Sequence, residues 1–291
     1  MSDPQAFPAQ ITADGSFTFF SPEFQESFHS RSGARWEAES KFVEPCQLRE
    51  KAKNKEVLQV LDICYGLGYN SASALATIWE VNPKCKVELI GLERDPQVPQ
   101  AAIAQQLLNQ WDSPIPQLLS ELARKYQLET SLLEAKLLIG DARLTIQSLI
   151  NLGFQAEAIF LDPFSPPKCP QLWTGDFLKL VSKCLKPTGI LATYSCAASV
   201  RTALLLAGLE IAPTVAVGRN SPGTVASFKL ENAPSLSEQE QEHLQTRASI
   251  PYRDPSLTDS ATVIEQRRQQ EQAASNKEPT SHWKKRWFNR S

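Results

Sequence analysis

Four short apolar runs in this chain each end in a carboxylate. They are 57–61 before Asp62, 87–92 before Glu93, 136–139 before Gly140-Asp141, and 158–161 before Asp162. Runs of this length, bounded by turn residues, read as buried parallel strands. Open α/β sheets bind ligands just outside the carboxyl ends of such strands, so the four acids are predicted to converge on one crevice. Singly, each acid is explained as a turn cap. Four in succession point to a nucleoside site, with Glu93 receiving ribose hydroxyls and Asp141 an exocyclic adenine N–H.

The first run leads through Asp62-Ile-Cys-Tyr-Gly66-Leu-Gly68-Tyr-Asn70-Ser71 into a segment rich in Ala, Leu and Ser. This is the pattern of a strand, a tight turn and a helix. Gly66 and Gly68 allow backbone to approach a ligand closely, and the helix N-terminus offers unpaired N–H groups. A dinucleotide fingerprint needs a further glycine where Ser71 stands, and here an acid comes first. That favours a ligand with a cationic amino group, as S-adenosyl-L-methionine has, over NAD.

The fourth run opens onto Asp162-Pro-Phe164-Ser-Pro166-Pro-Lys168. The prolines stiffen this loop and leave its carbonyls free to accept hydrogen bonds. An acid, rigid carbonyls and an aromatic wall can together hold an amino group and orient its lone pair.

The surroundings of these runs set the organisation. Residues 11–44 carry a hairpin signal around Asp14-Gly15-Ser16. Helical patterns at 97–110 and 115–128 form an insertion after the second strand, broken by Trp111 and Pro114. A helix at 172–185 stops at Lys186-Pro-Thr-Gly189, and a strand at 190–194 and a helix at 198–206 come next. Two closing strands at 210–217 and 224–230 read as antiparallel. The expected fold is thus α/β, a doubly wound seven-stranded sheet of Rossmann-like type. Residues 1–55 form an N-terminal extension with a hairpin, 56–230 the sheet domain, and 231–291 a polar tail expected to be disordered.

Among 291 residues the formal net charge is only −2, so a nucleic-acid partner would need a local basic patch. The six cysteines form no Cys-x-x-Cys pair and have no nearby histidine, so neither metal site nor disulfide frame is expected. The N-terminus is polar and no apolar run reaches bilayer length, which predicts a cytoplasmic chain with no membrane contact. The oligomeric state is left open.

Several of these segments resemble one family. They are Asp14-Gly-Ser, Ser21-x-x-Phe24-x-Glu26-Ser-Phe-His29-Ser30-x-x-Gly33-Ala34-x-x-Glu37-Ala38 and Gly66-Leu-Gly68-Tyr-Asn70. Gly140-Asp141, Phe160-Leu-Asp162-Pro-Phe164-Ser-Pro166-x-Lys168-x-Pro170-x-Leu-Trp173-Thr174 and Gly218-Arg219 continue the match. So do Leu191-Ala-Thr193-Tyr-Ser195 and Val200-Arg201 with Ala207-Gly208-Leu209. From about residue 11 to 230 the chain is similar to the methyltransferase half of the bacterial bifunctional enzymes that make 5-methylaminomethyl-2-thiouridine at the tRNA wobble position.

The resemblance implies a class I, S-adenosyl-L-methionine-dependent N-methyltransferase whose partner is the anticodon region of tRNA. Asp162 is then the catalytic group, also beside the cofactor, and Asp62, Gly66, Gly68, Asn70, Glu93 and Asp141 hold the cofactor. Phe164 and Trp173 could stack on the flipped-out base, with core packing the equal alternative for Trp173; Pro166 is a further substrate-binding candidate, and Lys168, Arg201 and Arg219 are candidates for phosphate contact. His29 is expected to be a hydrogen-bonded structural histidine. The basic, aromatic stretch at 284–290 reads as a soluble terminus before an RNA-binding one.

Departures exist. The family usually reads Asp-Gly-Phe-Ala-Pro where this chain has Asp162-Pro-Phe-Ser-Pro166, and usually has other residues at Asp62 and Arg94. Nothing after 230 would build the family's flavin half, so the expected substrate is an aminomethyl group already freed by another route. A polyamine aminopropyltransferase, a non-catalytic RNA-binding adaptor and an NAD enzyme remain as alternatives. The loop's Lys168 and single acid weigh against the first, the four acids against the second, and Ser71 against the third.

Overall fold

The computed structural model describes residues 7–216 and 221–288. Its centre is a mixed eight-stranded sheet. In chain order the strands are β1 (Val57–Ile63), β2 (Lys86–Glu93), β3 (Gln127–Glu129), β4 (Leu133–Ile139), β5 (Ala156–Leu161), β6 (Leu185–Thr193), β7 (Glu210–Pro213) and β8 (Thr224–Ser227). Across the sheet the order is β7-β8-β6-β5-β1-β2-β4-β3. The five central strands β6, β5, β1, β2 and β4 run parallel, while β3, β7 and β8 pair antiparallel at the edges.

The helices after the strands are α1 (Tyr69–Val81), α2 (Gln97–Ala104), α3 (Ile115–Lys125), α4 (Ala142–Asn151), α5 (Gly175–Lys183) and α6 (Ala198–Leu206). The strand nearest the middle, β5, is covered on both faces: every residue of it is buried, and it carries the apolar run 158–161. Two hydrophobic cores result. One holds α1, α3 and the N-terminal segment, the other α4, α5 and α6. The chain winds outward from β1 to β4, then returns to β5 on β1's other side. The switch point therefore lies between β1 and β5, where Ile63 pairs with Leu161. A crevice must open at that point because successive crossovers leave in opposite directions.

The expected fold class is present, with three corrections. The 115–128 helix ends at Lys125, because Tyr126 turns left-handed at φ +62°. The chain then enters β3, an eighth strand hidden inside the helical pattern. Lys186–Gly189 does not separate a helix from a strand; it is a bulge within β6. A Cβ on Gly189 would stand 2.7 Å from the Ala156 carbonyl, so glycine is what lets the bulged strand lie against β5.

The third correction concerns the tail, which folds. It forms α7 (Glu238–His243), α8 (Ala261–Ala274) and α9 (Thr280–Phe288). Its composition is polar, but a few anchors suffice against a core that already exists. Tyr252 and Ile264 join the α4–α6 core, and Arg268 lies 4.3 Å over the Tyr252 ring. The backbone at Tyr252 bridges to Thr174. Capping supplies the rest: Ser237 with Glu240 closes a reciprocal box on α7, and the Ser260 hydroxyl caps α8.

The N-terminal extension forms two small ribbons, Gln10–Ile11 with Phe17–Thr18 and Phe20–Ser21 with Glu26–Ser27. The first turns at Asp14-Gly15-Ser16, as the hairpin signal predicts. Among the described residues no helix is long and apolar enough to cross a membrane, and no cluster of three or more His, Cys, Asp or Glu could hold a metal ion.

Candidate active site

A cavity of about 870 Å³ opens at the carboxyl ends of β1, β2, β4 and β5. Its size is at the upper end of small-molecule sites, which span roughly 300–1,000 Å³. Two walls face each other across it. One comes from the strand ends, the other from the N-terminal ribbons and the short helical segment that follows them, Ala34–Ala38 continuing as Glu39–Val43.

On the strand-end wall the turn after β1 is tight. Cys64, Gly66 and Gly68 all have left-handed φ, at +70°, +56° and +85°. The Gly66 N–H donates to Glu93 Oε2 at 2.8 Å, and the Asp95 N–H donates to Glu93 Oε1 at 2.8 Å. Glu93 thus ties the turn to the end of β2 while standing on the cavity wall. Burial raises its carboxyl pKa, against the pull of those backbone donors.

Two of the predicted cofactor residues lie behind this turn instead of in the cavity. A Cβ on Gly68 would come within 2.7 Å of the Tyr65 hydroxyl, so this glycine makes room for the Tyr65 ring. Asp62 is fully buried and accepts a 2.6 Å hydrogen bond from Ser71 Oγ. It fastens the start of α1 to β1. Burial, with the Glu93 charge adding to it, pushes the Asp62 carboxyl up to about 7.

Asn70, on the first turn of α1, donates from Nδ2 to Asp162 Oδ2 at 3.0 Å. Both residues stand on the cavity wall. Burial lifts the Asp162 carboxyl well above the ordinary carboxylate range; the Asn70 bond opposes this and the Glu37 and Asp62 charges reinforce it. Next on the wall comes Asp141, which caps α4 by accepting from the Arg143 N–H at 2.9 Å and pairs with the Arg143 guanidinium at 2.6 Å. There burial is outweighed by Arg143, and the carboxyl is held low.

The loop after Asp162 is braced from three sides. The Tyr194 hydroxyl donates to the Pro163 carbonyl at 2.8 Å, and Trp173 Nε1 to the Phe164 carbonyl at 2.8 Å. The Ser165 N–H and hydroxyl both donate to the Glu26 carboxylate. Two of the carbonyls expected to be free for an amine, those of Pro163 and Phe164, are therefore already engaged. Trp173 is fully buried and packs edge-on to Tyr194, so it supports the loop from behind and offers no face to a base. Pro166 is buried too and is not among the cavity-lining residues. Phe164 does face the cavity, stacked on Phe24 at 4.4 Å and edge-on to Phe28 at 5.0 Å. Lys168 is exposed at the mouth.

Arg201 is another correction. It is 2% exposed and donates to Thr224 Oγ1 at 3.0 Å and to Glu240 of α7 at 2.7 Å. It clamps the C-terminal segment to the sheet and cannot meet a phosphate. Arg219 lies outside the described residues.

The facing wall contains residues that sequence reasoning misses. Glu37 and Lys41 are buried, pair at 2.5 Å and line the cavity. The Ser30 N–H donates to Glu37 at 3.0 Å. The available signal is an acid near the end of the matched motif and a lysine four residues on, a spacing that a helical turn brings together. His29 also lines the cavity, and its N–H donates to the Thr18 hydroxyl at 2.9 Å. Burial drives its ring down to about 4, which favours the neutral imidazole.

The wall chemistry is dominated by acceptors. Besides Glu93, Asp141 and Asp162, three buried oxygens on cavity-lining residues have no hydrogen-bond partner among the described residues: Asn70 Oδ1, Gln171 Oε1 and the Tyr65 hydroxyl. A buried acceptor left unmatched costs about 1–3 kcal/mol, so the cavity suits a ligand rich in N–H and O–H donors. An amino acid joined to a nucleoside meets that demand.

Comparisons with known proteins agree. Residues 99–229 match the family described as S-adenosyl-L-methionine-dependent methyltransferase. The crystal structure of MnmC2 from Aquifex aeolicus superposes with a TM-score of 0.80 at 35% identity, covering 93% of this chain and 86% of that one. An uncharacterised protein of Methanocaldococcus jannaschii is 28% identical over 256 residues, covering 85% of this chain and 67% of its own length. The tRNA 5-methylaminomethyl-2-thiouridine biosynthesis bifunctional protein MnmC of Paraburkholderia phymatum is 27% identical over 227 residues, which are 72% of this chain. The chain spans only 33% of that bifunctional protein. A Rossmann-like sheet, an acceptor-lined crevice at its switch point and the Aquifex likeness over nearly the whole chain together assign this protein to the S-adenosyl-L-methionine-dependent methyltransferases of the MnmC2 family.

Proposed function

We propose that the chain methylates the primary amine of a 5-aminomethyluridine, with or without a 2-thio group, at the wobble position of tRNA. One observation carries the reading. Asp162, at the end of β5, stands on the cavity wall, accepts a side-chain hydrogen bond from Asn70 and shares the cavity lining with Phe164. Relatives named for methylaminomethyl-thiouridine synthesis support it.

The bound cofactor would supply an electrophilic methyl group, a chemistry that needs alignment and a dry site and no covalent enzyme intermediate. Glu93 and Asp141 would hold its ribose and adenine ends, and Asn70 Oδ1 is an acceptor for its amino group. Asp162 accepts an N–H of the substrate amine and directs the lone pair. Its raised pKa also suits it to take the proton that a primary ammonium must lose before it can attack. Phe164 gives the extruded base a stacking surface, as single-stranded RNA recognition commonly requires. Phe28 and Phe42, also on the wall, keep water from the reacting amine. Lys168 and the exposed Arg31 flank the mouth and suit phosphate.

The test is incubation with labelled S-adenosyl-L-methionine and tRNA carrying 5-aminomethyl-2-thiouridine, with nucleoside mass spectrometry of the product. Appearance of 5-methylaminomethyl-2-thiouridine is expected. Label on another nucleoside, or none on RNA, would reject the substrate while leaving the methyltransferase assignment standing.

A further inference from the structure

We propose that Asp254, carried in by the C-terminal segment, is a positioning residue for the adenine end of the cofactor site. It acts through Arg143 upon Asp141, and the proposal rests on the reading that Asp141 receives the adenine amino group.

Arg143 is 9% exposed and sits between two carboxylates. On one side its Nε lies 3.1 Å from both Asp141 oxygens, and a terminal nitrogen lies 2.6 Å from Asp141 Oδ2. On the other side its second terminal nitrogen donates to Asp254 Oδ2 at 2.7 Å and to the Asp259 carbonyl at 2.9 Å. Asp254 is fully buried. Its remaining oxygen accepts the backbone N–H groups of Thr258 and Asp259 at 3.2 Å each, and its own N–H donates to Asp176 on α5 at 2.7 Å. The segment that supplies Asp254 also reaches the cavity itself, since Ala261, the first residue of α8, lines it.

Charge counting gives this arrangement a purpose. A guanidinium paired with one carboxylate leaves that carboxylate neutralised and its lone pairs occupied. Shared between two, it leaves one net negative charge on the trio, so the Asp141 end keeps its attraction for an amino N–H from the cavity although Arg143 also contacts both its oxygens. Asp254 also fixes the guanidinium plane, which fixes the rotamer of Asp141. The chain segment thus finishes a subsite that the sheet only begins.

The test uses calorimetric binding of S-adenosylhomocysteine and of its inosine counterpart, which lacks the adenine amino group, to the full-length protein. In the wild type the adenine form should bind more tightly. Asp254→Asn should weaken the adenine form by about tenfold, because its bond to Arg143 loses the charge that strengthens it. It should also flatten the preference between the two ligands, while the KM for tRNA stays within about twofold, a split that general loosening of the fold would not produce. Arg143→Lys, which keeps the charge but cannot bridge two carboxylates, should behave alike and serves if Asp254→Asn does not fold. Asp141→Asn is the control. If it abolishes the preference while Asp254→Asn and Arg143→Lys keep wild-type affinity and preference, the positioning role is wrong and the Asp141 reading survives. If Asp141→Asn itself keeps the preference, the adenine reading fails and takes the proposal with it.

Discussion

Asp141 and Asp162 are carboxylates on one cavity wall, each at the end of a parallel strand, yet their surroundings are opposite. Asp141 is locked by a guanidinium and a backbone N–H, and its carboxyl is held low. Asp162 has an amide partner, no ion pair among the described residues, and a carboxyl raised by burial. A carboxylate that is paired and low binds a ligand without changing protonation; one that is isolated and raised can take a proton. The sheet provides equivalent positions, and the side chains packed around them set opposite protonation tendencies, the contrast on which the proposed division of binding from chemistry rests.

The largest expected effect tests that division directly. Asp162→Ala should lower the methylation rate about a hundredfold or more, as removal of a positioned acid–base group does, with cofactor affinity changed far less. Asp162→Asn should be milder, because its amide oxygen still accepts from the amine. Single-turnover rates beside calorimetric affinities check both, and equal losses in rate and affinity would erase the contrast between the two acids.

Next in size is Glu93→Ala, expected to weaken cofactor binding by about 1–3 kcal/mol. Because Glu93 also holds the Gly66 and Asp95 N–H groups, the melting temperature should fall as well. An Asp95→Ala effect larger than this would mean that Asp95, not Glu93, is the cofactor's acid at the end of β2.

Gly68→Ala should cost about 1–2 kcal/mol of stability, from a side chain at left-handed φ and its collision with Tyr65. Affinity measured on the remaining folded protein should change little, since the added methyl meets the Tyr65 ring. Abolished binding in a folded variant would restore the glycine to a direct role.

Asp62 sharpens the comparison through pH. Its carboxyl sits at about 7 when folded, above its ordinary value. Between the two values the folded chain keeps a proton that the unfolded chain has released, so this group's contribution is fully present at acid pH and declines as pH rises toward 7. Asp62→Asn, which retains an acceptor for Ser71, should flatten that decline in a melting-temperature profile. An unchanged slope would mean that another buried carboxyl dominates.

The smallest effect is expected from Lys168→Ala at the mouth. Loss of one exposed phosphate contact should weaken tRNA binding uniformly and reduce its salt dependence by about one counterion. A drop in cofactor affinity would instead move Lys168 inside the site.

Much of the sheet was legible in the chain itself. A strand buried on both faces must be continuously apolar, and a parallel sheet must direct ligands to its carboxyl ends, so the strand-end acids and the Gly66–Asn70 turn could be read without coordinates. Glu93, Asn70, Asp141, Asp162 and Phe164 accordingly stand on one cavity wall. Four of the predicted residues stand off the cavity for one cause. Asp62, Gly68, Trp173 and Arg201 have the residue types of a site, but which way each side chain turns depends on its packing neighbours: Ser71 and Tyr65 for the first two, the Phe164 carbonyl and Glu240 for the others.

Local sequence therefore determined where chemistry gathers, because strand period, glycine conformation and proline stiffness act over a few residues. Tertiary structure decided what each group does there. The grip of Glu26 on Ser165 and the link from Asp254 to Asp141 join positions up to 139 residues apart in the chain. The polar C-terminal segment likewise folds only because a finished core gives Tyr252 and Ile264 a place to anchor. Charge and hydrogen-bond partners act over a few ångströms of space, whatever the distance along the chain, and only packing brings those partners within reach.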